Sequence, residues 1–393
     1  MITATNQVMT QQGIKALHLK QIYLHCLHSG GISRAWLRRE MGLSFSAVSA
    51  LVDELIAGNI LEEVGIVEKA KRGRPSILLR ICADRFSIPV VAMTVDGYYC
   101  KLFNFVGEEQ EACFIPYGFD ADTVKQFNGR RHPDFDSLAG PLIQWVNDLK
   151  LRSNPIAFVM TAPGSVSKDG VLSSSSARIA TPVGFHSKLE DAVGLELYLG
   201  NPSDHYAYAE YHYNRDAENF ALILIGNGVG AAFVRNGMLF ETKPRRAGEF
   251  GHISIDYKGR PCICGGCGCL ERYISTTAMA EDAGMDYETL CQRYLTGDPL
   301  ISQFIRQKAD VLAIGISNML TMHPVQQIVL GGEIRKLGQP FLEALRDSMQ
   351  RVGFRRLMQN LEVRYSLGEE KTEILGALWN FIENQLRVHS IAD

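Results

Sequence analysis

The 393-residue sequence predicts an α/β protein in two parts: a winged helix-turn-helix over residues 1–86 and a larger, two-lobed α/β body over residues 87–393. Three observations predict it. The first part reads helix, helix, turn, helix, hairpin. From Ile88 onward, strand-like and helix-like segments mix. A cysteine- and histidine-rich loop, residues 252–269, interrupts the body at the spacing of a metal site.

In the first part, Gly13 to Ser29 is read as a helix whose apolar positions are Leu17, Ile22, Leu24 and Leu27. Ser33 is placed to cap a short helix from Arg34 to Met41. Gly42-Leu43 makes a tight turn and Ser44 caps the next helix, on which Val48, Leu51, Val52 and Leu55 follow at helical spacing. Gly58-Asn59 stops it, and two β-like runs, residues 60–66 and 76–82, flank the basic turn VEKAKRGRP.

In the body, residues 90–97, 98–107 and 111–118 look like three successive strands, followed by an amphipathic helix near 135–150 and a strand within 155–164. Further strands are expected within 195–201, 221–228 and 231–237. Helices dominate after Leu270, broken by strands in 326–333 and 361–366.

At about 100–200 residues per domain, this length suggests two or three domains. The composition, 46% hydrophobic and 21% charged, is that of a globular chain with a core. No apolar run reaches the roughly 18 residues a membrane helix needs, and the polar start MITATNQVMTQQ is no signal peptide. A cytoplasmic location without membrane insertion is therefore expected. Residues 1–86 hold eleven Lys/Arg against seven Asp/Glu, a balance of +4, so with −3 overall the remainder carries −7. A basic head on an acidic body fits a nucleic-acid-binding module joined to a partner that does not bind nucleic acid.

In a helix-turn-helix, the N-terminal residues of the second helix of the motif meet base edges in the major groove. Here these are Ser44, Phe45, Ser46, Ala47, Ser49 and Ala50. Serine hydroxyls bond bases or phosphates, and the apolar residues meet thymine methyls. With no Arg, Asn or Gln among them, direct readout is expected to be weak. The wing contributes Lys69, Lys71, Arg72 and Arg74, and arginines on such a loop suit a narrow A/T-rich minor groove.

His252 is followed at +10, +12 and +17 by Cys262, Cys264 and Cys269. One imidazole and three thiolates match a closed, tetrahedral, structural zinc site. Cys267 is a fifth candidate ligand.

The pattern GEFGH-x9-CxCGxxGCLE resembles the signature of the ROK family, which groups repressors, open reading frames and sugar kinases. PGSVSKDGVL (163–172), LIGNGVGAAFVRNG (224–237), VLGGE (329–333) and ILGALW (374–379) are similar to family landmarks in the same order, and SRAWLRREMGLSFSAVSALVDELI resembles the winged helix of its repressor members. The resemblance spans essentially the whole chain. It implies an actin/hexokinase-like (ribonuclease H-like) body with a structural zinc, and a homodimer or homotetramer. It also implies a sugar site at Glu249, His252 and Glu271.

The kinase motifs depart from the family. Its first phosphate loop, of the Asp-x-Gly-Gly-Thr-Lys type, corresponds to Asp96-Gly97-Tyr98-Tyr99-Cys100, and its catalytic Asp to Pro202 in Asn201-Pro202-Ser203-Asp204. Proline cannot accept a proton. The expectation is a non-enzymatic repressor that binds double-stranded operator DNA and answers to a sugar or sugar phosphate, with no catalytic residues and no ATP. A sugar kinase with an accessory DNA-binding head, and a regulator controlled by a protein partner, remain the alternatives.

Overall fold

The computed structural model describes residues 10–67, 76–119, 126–127, 130–166, 172–174, 178–240, 248–368 and 372–392. The N-terminal elements are α1 (Gln11–Ser29), β1 (Ile32–Ser33), α2 (Arg34–Met41), α3 (Phe45–Ala57), β2 (Leu61–Val67) and β3 (Ser76–Ile81). The caps fall on the serines expected from sequence. Ser33 Oγ accepts from Trp36 N at 3.2 Å and Ser44 Oγ from Ala47 N at 3.1 Å, satisfying orphan amides of each first turn. Gly42 joins α2 to α3 in the left-handed conformation, φ 64°. The three strands pair antiparallel in the order β1-β3-β2.

One detail differs from expectation. The buried face of α1 is Leu19, Ile22, Tyr23 and Cys26, whereas Leu17 is exposed. The apolar spacing i, i+3, i+4, i+7 runs through Tyr23 and Cys26, which a count of aliphatics overlooks.

The body begins with a meander, β4 (Ser87–Met93), β5 (Gly97–Asn104) and β6 (Glu109–Pro116), followed by β7 (Gln126–Phe127), β8 (Arg130–Arg131), α4 (Phe135–Arg152) and β9 (Phe158–Thr161). Next come β10 (Ser165–Val166), β11 (Leu172–Ser174), β12 (Ile179–Ala180), α5 (Phe185–Val193), β13 (Leu197–Gly200) and α6 (Pro202–Tyr213). The second lobe holds β14 (Asn219–Ile225), β15 (Val229–Arg235), β16 (Met238–Leu239), a 3-10 turn (Phe250–His252), α7 (Glu271–Ile274), α8 (Thr276–Ala283), α9 (Tyr287–Leu295) and α10 (Pro299–Met322). The lobe continues through β17 (Gln327–Gly331), α11 (Gly338–Arg351), α12 (Arg355–Met358) and β18 (Glu362–Tyr365), and the chain then returns to the first sheet with α13 (Thr372–Asn380), a π-helical turn (Phe381–Gln385) and α14 (His389–Ala392).

The two large sheets share one topology. Their orders are β13-β9-β4-β5-β6 and β18-β17-β14-β15-β16. In each, the first strand of an antiparallel meander sits at the centre, and two parallel strands extend the sheet on its other side. The parallel extensions return through helices, as parallel pairing requires. One face of the first sheet packs on α4 and α5. One face of the second packs on the helices from α7 to α11. The inner faces are covered by α13 and α6 respectively, and these two helices pack on each other.

That crossing is tight. A Cβ on Gly376 of α13 would lie 1.7 Å from the carbonyl oxygen of His205 on α6. The backbone nitrogen of Ala209 would lie 3.1 Å from the same Cβ, so the crossing sets backbone against backbone. Helix axes approach this closely only where side chains at the crossing are minimal.

The N-terminal elements share a continuous apolar cluster with the first sheet: Leu19, Ile22 and Tyr23 join Ile88, Val90, Phe105, Ile374 and Ile382. Tyr23 donates its hydroxyl proton to Phe105 O at 2.7 Å, and α14 packs against both α1 and α3.

The crossing generates a prediction. Gly376→Ala must push two helix backbones apart, and overpacking of this kind destabilises by about 1–3 kcal/mol. Urea denaturation should show the midpoint shifted down by that free energy divided by the slope, at unchanged slope, and an unshifted midpoint would show that the crossing yields without cost.

Candidate functional site

The metal loop is built from the glycines outward. Gly248, at φ 90°, and Gly251 back onto strand β15, where a Cβ would stand 2.3 Å from Ala231 O and from Val229 O respectively. This contact seats the 3-10 turn and aims His252 at the loop that follows. Gly268, at φ 66°, presses against Asp256 O and brings the sulfurs back toward the imidazole.

His252 Nδ1 lies 3.6 Å from Cys262 Sγ, and Cys264 Sγ lies 3.5 Å from Cys269 Sγ. All four donor atoms fall within 4.8 Å of one another. Donors at bond lengths of about 2.0–2.3 Å stand roughly 3.5–3.8 Å apart in a tetrahedron, so the cluster fits one metal ion with little adjustment. Cys267 is exposed and outside the cluster; its carbonyl accepts from Ser254 Oγ at 2.9 Å. The loop is tied down by Arg260, which donates to Arg272 O at 3.0 Å and pairs with Asp282 at 2.8 Å. Asp282 in turn pairs with the buried Lys308. The three residues join the loop to α8 and α10.

The residues implied for sugar binding gather at the start of β15. Glu249 is exposed, with Oε2 at 3.8 Å from His252 Nε2, the ring nitrogen that faces away from the sulfurs. A carboxylate there orients a metal-bound imidazole. Glu271 is buried and its Oε2 accepts from Val229 N at 2.9 Å. One of its oxygens is therefore engaged by backbone.

A second group of polar residues was not foreseen. Thr276 Oγ1 donates to Glu333 Oε2 at 3.0 Å, Thr277 Oγ1 to Asn227 Oδ1 at 3.3 Å, and Thr276 N to Gly226 O at 2.8 Å. A Cβ on Gly226 would lie 3.8 Å from the Glu333 carboxylate. A negative charge thus stands against the glycine loop 226–228, where an approaching phosphate would meet repulsion. The Glu of VLGGE was visible in sequence, but nothing local connects it to a loop more than one hundred residues earlier.

The two segments that the sequence matches to departed kinase motifs have plain geometry. β4 and β5 meet in a tight turn in which Thr94 N donates to Gly97 O at 2.9 Å. Tyr98 is buried and donates to Leu138 O at 3.0 Å, while the Tyr99 ring packs tilted against Phe114, centroids 4.9 Å apart. Pro202 occupies the first turn of α6, behind the cap Asn201, whose Oδ1 accepts from Ser203 N at 2.9 Å. The helix is regular there and Asp204 lies within its first turn.

At the N-terminal end, Ser44 and Ser46 are exposed, Ala47 and Ser49 are partly exposed, and Val48, Leu51, Val52 and Leu55 face inward. Ser44 Oγ serves the cap and also lies 3.1 Å from Ser46 Oγ. Arg34 pairs with Asp53 and Glu63. Arg38 and Arg39, which the sequence pattern does not single out, are exposed in the last turn of α2, next to the start of α3. Lys71, Arg72 and Arg74 lie outside the described residues, as does Lys69.

The chain is similar along its length to known regulators. It is 25% identical over 409 residues to the xylose repressor of Caldicellulosiruptor bescii, covering 97% of this chain and 98% of that one. It is 22% identical over 370 residues to the N-acetylglucosamine repressor of Escherichia coli O157:H7, covering 89% and 88%. Among solved structures, a ROK family transcriptional regulator described as a homolog of the E. coli Mlc protein superposes with a TM-score of 0.78 at 22% identity, over 96% of this chain and 98% of that one. The ROK hexokinase from Thermus thermophilus superposes with a TM-score of 0.58 at 20% identity, over 74% of this chain and 96% of its own. The duplicated sheet topology is thus the actin/hexokinase-like fold. The sequence profile of the ROK family matches residues 137–384, and this chain is a member of that family.

Proposed function

We propose that this chain is a transcriptional repressor of carbohydrate-utilisation genes, with residues 1–86 as a winged helix-turn-helix on operator DNA and residues 87–393 as a sugar-binding body without kinase activity. The observation that carries the reading is the combination in one chain of a serine-capped α3 with an exposed start and a hexokinase-like body, in which Pro202 stands where the family resemblance puts the catalytic Asp. The full-length relatives named as xylose and N-acetylglucosamine repressors support it.

In this reading Ser44, Ser46, Ala47 and Ser49 meet the major groove. Arg38 and Arg39 bond the flanking phosphates, and Lys71, Arg72 and Arg74 lie along the minor groove. A homodimer or homotetramer pairs two such heads, so the operator is palindromic with half-sites about one helical turn apart, or a multiple of it. The His252, Cys262, Cys264 and Cys269 set holds zinc, whose role when bound is to staple the loop and fix the imidazole. Glu249, the Nε2 edge of His252, and Glu271 then bond the hydroxyls of a sugar or sugar phosphate. Phosphoryl transfer lacks a base at Pro202 and an amide-lined loop at the β4–β5 turn, and Glu333 disfavours a nucleotide phosphate beside Gly226.

Three measurements test the reading. Elemental analysis should find one zinc per chain; Cys269→Ser should lose it and Cys267→Ser should keep it. Absence of metal from the wild type, or loss only in the Cys267 variant, would reverse the assignment. In gel-shift titrations on a duplex selected by the wild-type chain from a random library, Arg38→Ala should weaken binding and lower the salt slope by about 0.9 for each phosphate it no longer neutralises. Equal slopes would remove Arg38 from the interface. Saturating D-xylose or N-acetylglucosamine should weaken DNA binding by roughly 5- to 150-fold in wild type and leave Glu249→Ala unaffected, without ADP release in a coupled assay. Rapid sugar-dependent ADP release would restore the kinase alternative.

A further inference from the structure

Between α1, α6 and the π-helical turn lies a cavity of about 560 Å3 lined by Leu24, His28, His212, Arg215, Glu383 and Asn384. Glu383 is its centre. The carboxylate accepts from Tyr208 OH and from Arg215 Nη2 at 2.6 Å, and lies 3.2 Å from His212 Nδ1. Burial alone would raise its pKa, but the bonds from His212, Arg215 and Tyr208 outweigh burial and hold it down at about 2. His212 also stacks on Trp379 of α13, ring centroids 4.4 Å apart. On the other side of the turn, Lys20 of α1 donates to Ile382 O and, at 2.9 Å, to Leu386 O. π-Turns of this kind concentrate at functional positions.

The other end of α6 reaches the proposed sugar site. Val229 N holds Glu271, and the next residue, Gly230, lies directly on Ser203, where a Cβ would stand 2.4 Å from Ser203 Oγ. A continuous set of contacts therefore runs from Glu271 through Val229, Gly230 and Ser203, along α6 to Arg215, and through Glu383 to Lys20 on the N-terminal helix.

We infer that α6 and the Glu383 cluster form a latch through which occupancy of the Glu249, His252 and Glu271 site sets the seating of α1 on the body. The inference rests on the repressor reading for its ligand and its output. A sugar that draws Glu271 shifts β15 and with it Ser203 and α6. Tyr208 and Arg215 both donate to one carboxylate, with the His212 ring beside it, so a small rotation of α6 about its seat on Gly376 moves these donors away from Glu383, and the adjoining pocket leaves room for the side chains to separate. The Lys20 contacts then loosen, because one acceptor, Ile382, belongs to the same turn and the other, Leu386, directly follows it. Coupling of this sort needs an element with two discrete arrangements that both sites bias, and in this inference the Glu383 cluster is that element.

The test is hydrogen exchange by mass spectrometry on the full chain, in wild type, Glu383→Gln and Lys20→Met. The first variant keeps the shape of the carboxylate, and the second leaves the body cluster intact. Without ligand, both variants should exchange about tenfold faster over residues 19–27, with residues 220–225 unchanged. Wild-type rates over 19–27 in both variants overturn the latch. With whichever of D-xylose or N-acetylglucosamine raises the wild-type Tm, exchange over 206–213 and 19–27 should change together in wild type, and over 206–213 alone in Glu383→Gln. A sugar effect on 19–27 that persists in Glu383→Gln overturns the inference as well. If exchange follows the expected pattern but DNA affinity ignores the sugar, the repressor reading fails and the latch stands.

Discussion

The contact between Gly376 and the carbonyl of His205 decides where everything else can be. It fixes α13 against α6, and because each of these helices covers the inner face of a different sheet, it fixes one lobe against the other. A helix crossing made of side chains can slide by trading rotamers. One made of backbone against backbone has a single seat, since packed interiors are close to crystal density. From that seat α6 runs one way to Ser203, beside Gly230 and Glu271, and the other way to His212 and Arg215. From the same seat α13 passes into the turn bearing Glu383 and then to α14, which returns to α1 and α3. The proposed sugar-binding residues and the N-terminal helices are thus joined by elements that meet at one glycine.

What the sequence made legible was local. Ser33 and Ser44 announce their helices because an N-cap is a contact across three residues, and Gly42 announces the turn because its φ is positive. The metal cluster was legible because its donors come from eighteen consecutive residues, with tight turns that only glycine permits. α6 was not legible. PSDHYAYAEYHY has no apolar stripe, because it is covered by a sheet on one side and by α13 on another, so Tyr206, Ala207, Tyr208 and Ala209 are all buried. The identical topology of the two sheets was invisible too, since it is a likeness of strand order and not of residues. Glu333 and Glu383 escaped for the same reason as each other: their partners are brought to them by the fold, across 57 residues to Thr276 and 175 to Tyr208.

On the proposed reading, the body keeps a kinase architecture without its chemistry. Binding a sugar needs neutral and anionic acceptors held in place, and a metal loop can hold them without any nucleotide. Phosphoryl transfer needs more: a base at the acceptor hydroxyl and a cradle for developing charge. In that reading Pro202 removes the first without disturbing α6, because proline at the first helical position replaces an amide that had no intrahelical partner anyway. That substitution is compatible with the fold while being fatal to a base. Tyr98 and Tyr99 likewise contribute to packing, one to each face of their sheet, at the start of the strand that leaves the β4–β5 turn.

The seam between the N-terminal elements and the body bears on how a signal crosses it. A DNA-binding unit on a loose tether feels its body only through effective concentration, and a sub-ångström change at a distant site would be lost in the tether. Here Leu19, Ile22 and Tyr23 share a core with Ile88, Phe105 and Ile382, so the first helix is part of the packing of the body. Displacing it exposes apolar area, which favours one seating over a continuum of orientations. The polar cluster at Glu383 sits at the margin of that core, beside a cavity, where hydrogen bonds rather than close packing hold the parts together. Apolar contacts set which seating is stable, and the polar margin sets how readily it is exchanged for another. A protein that must respond to a ligand needs both, because a seam that is wholly packed does not move and one that is wholly polar does not hold.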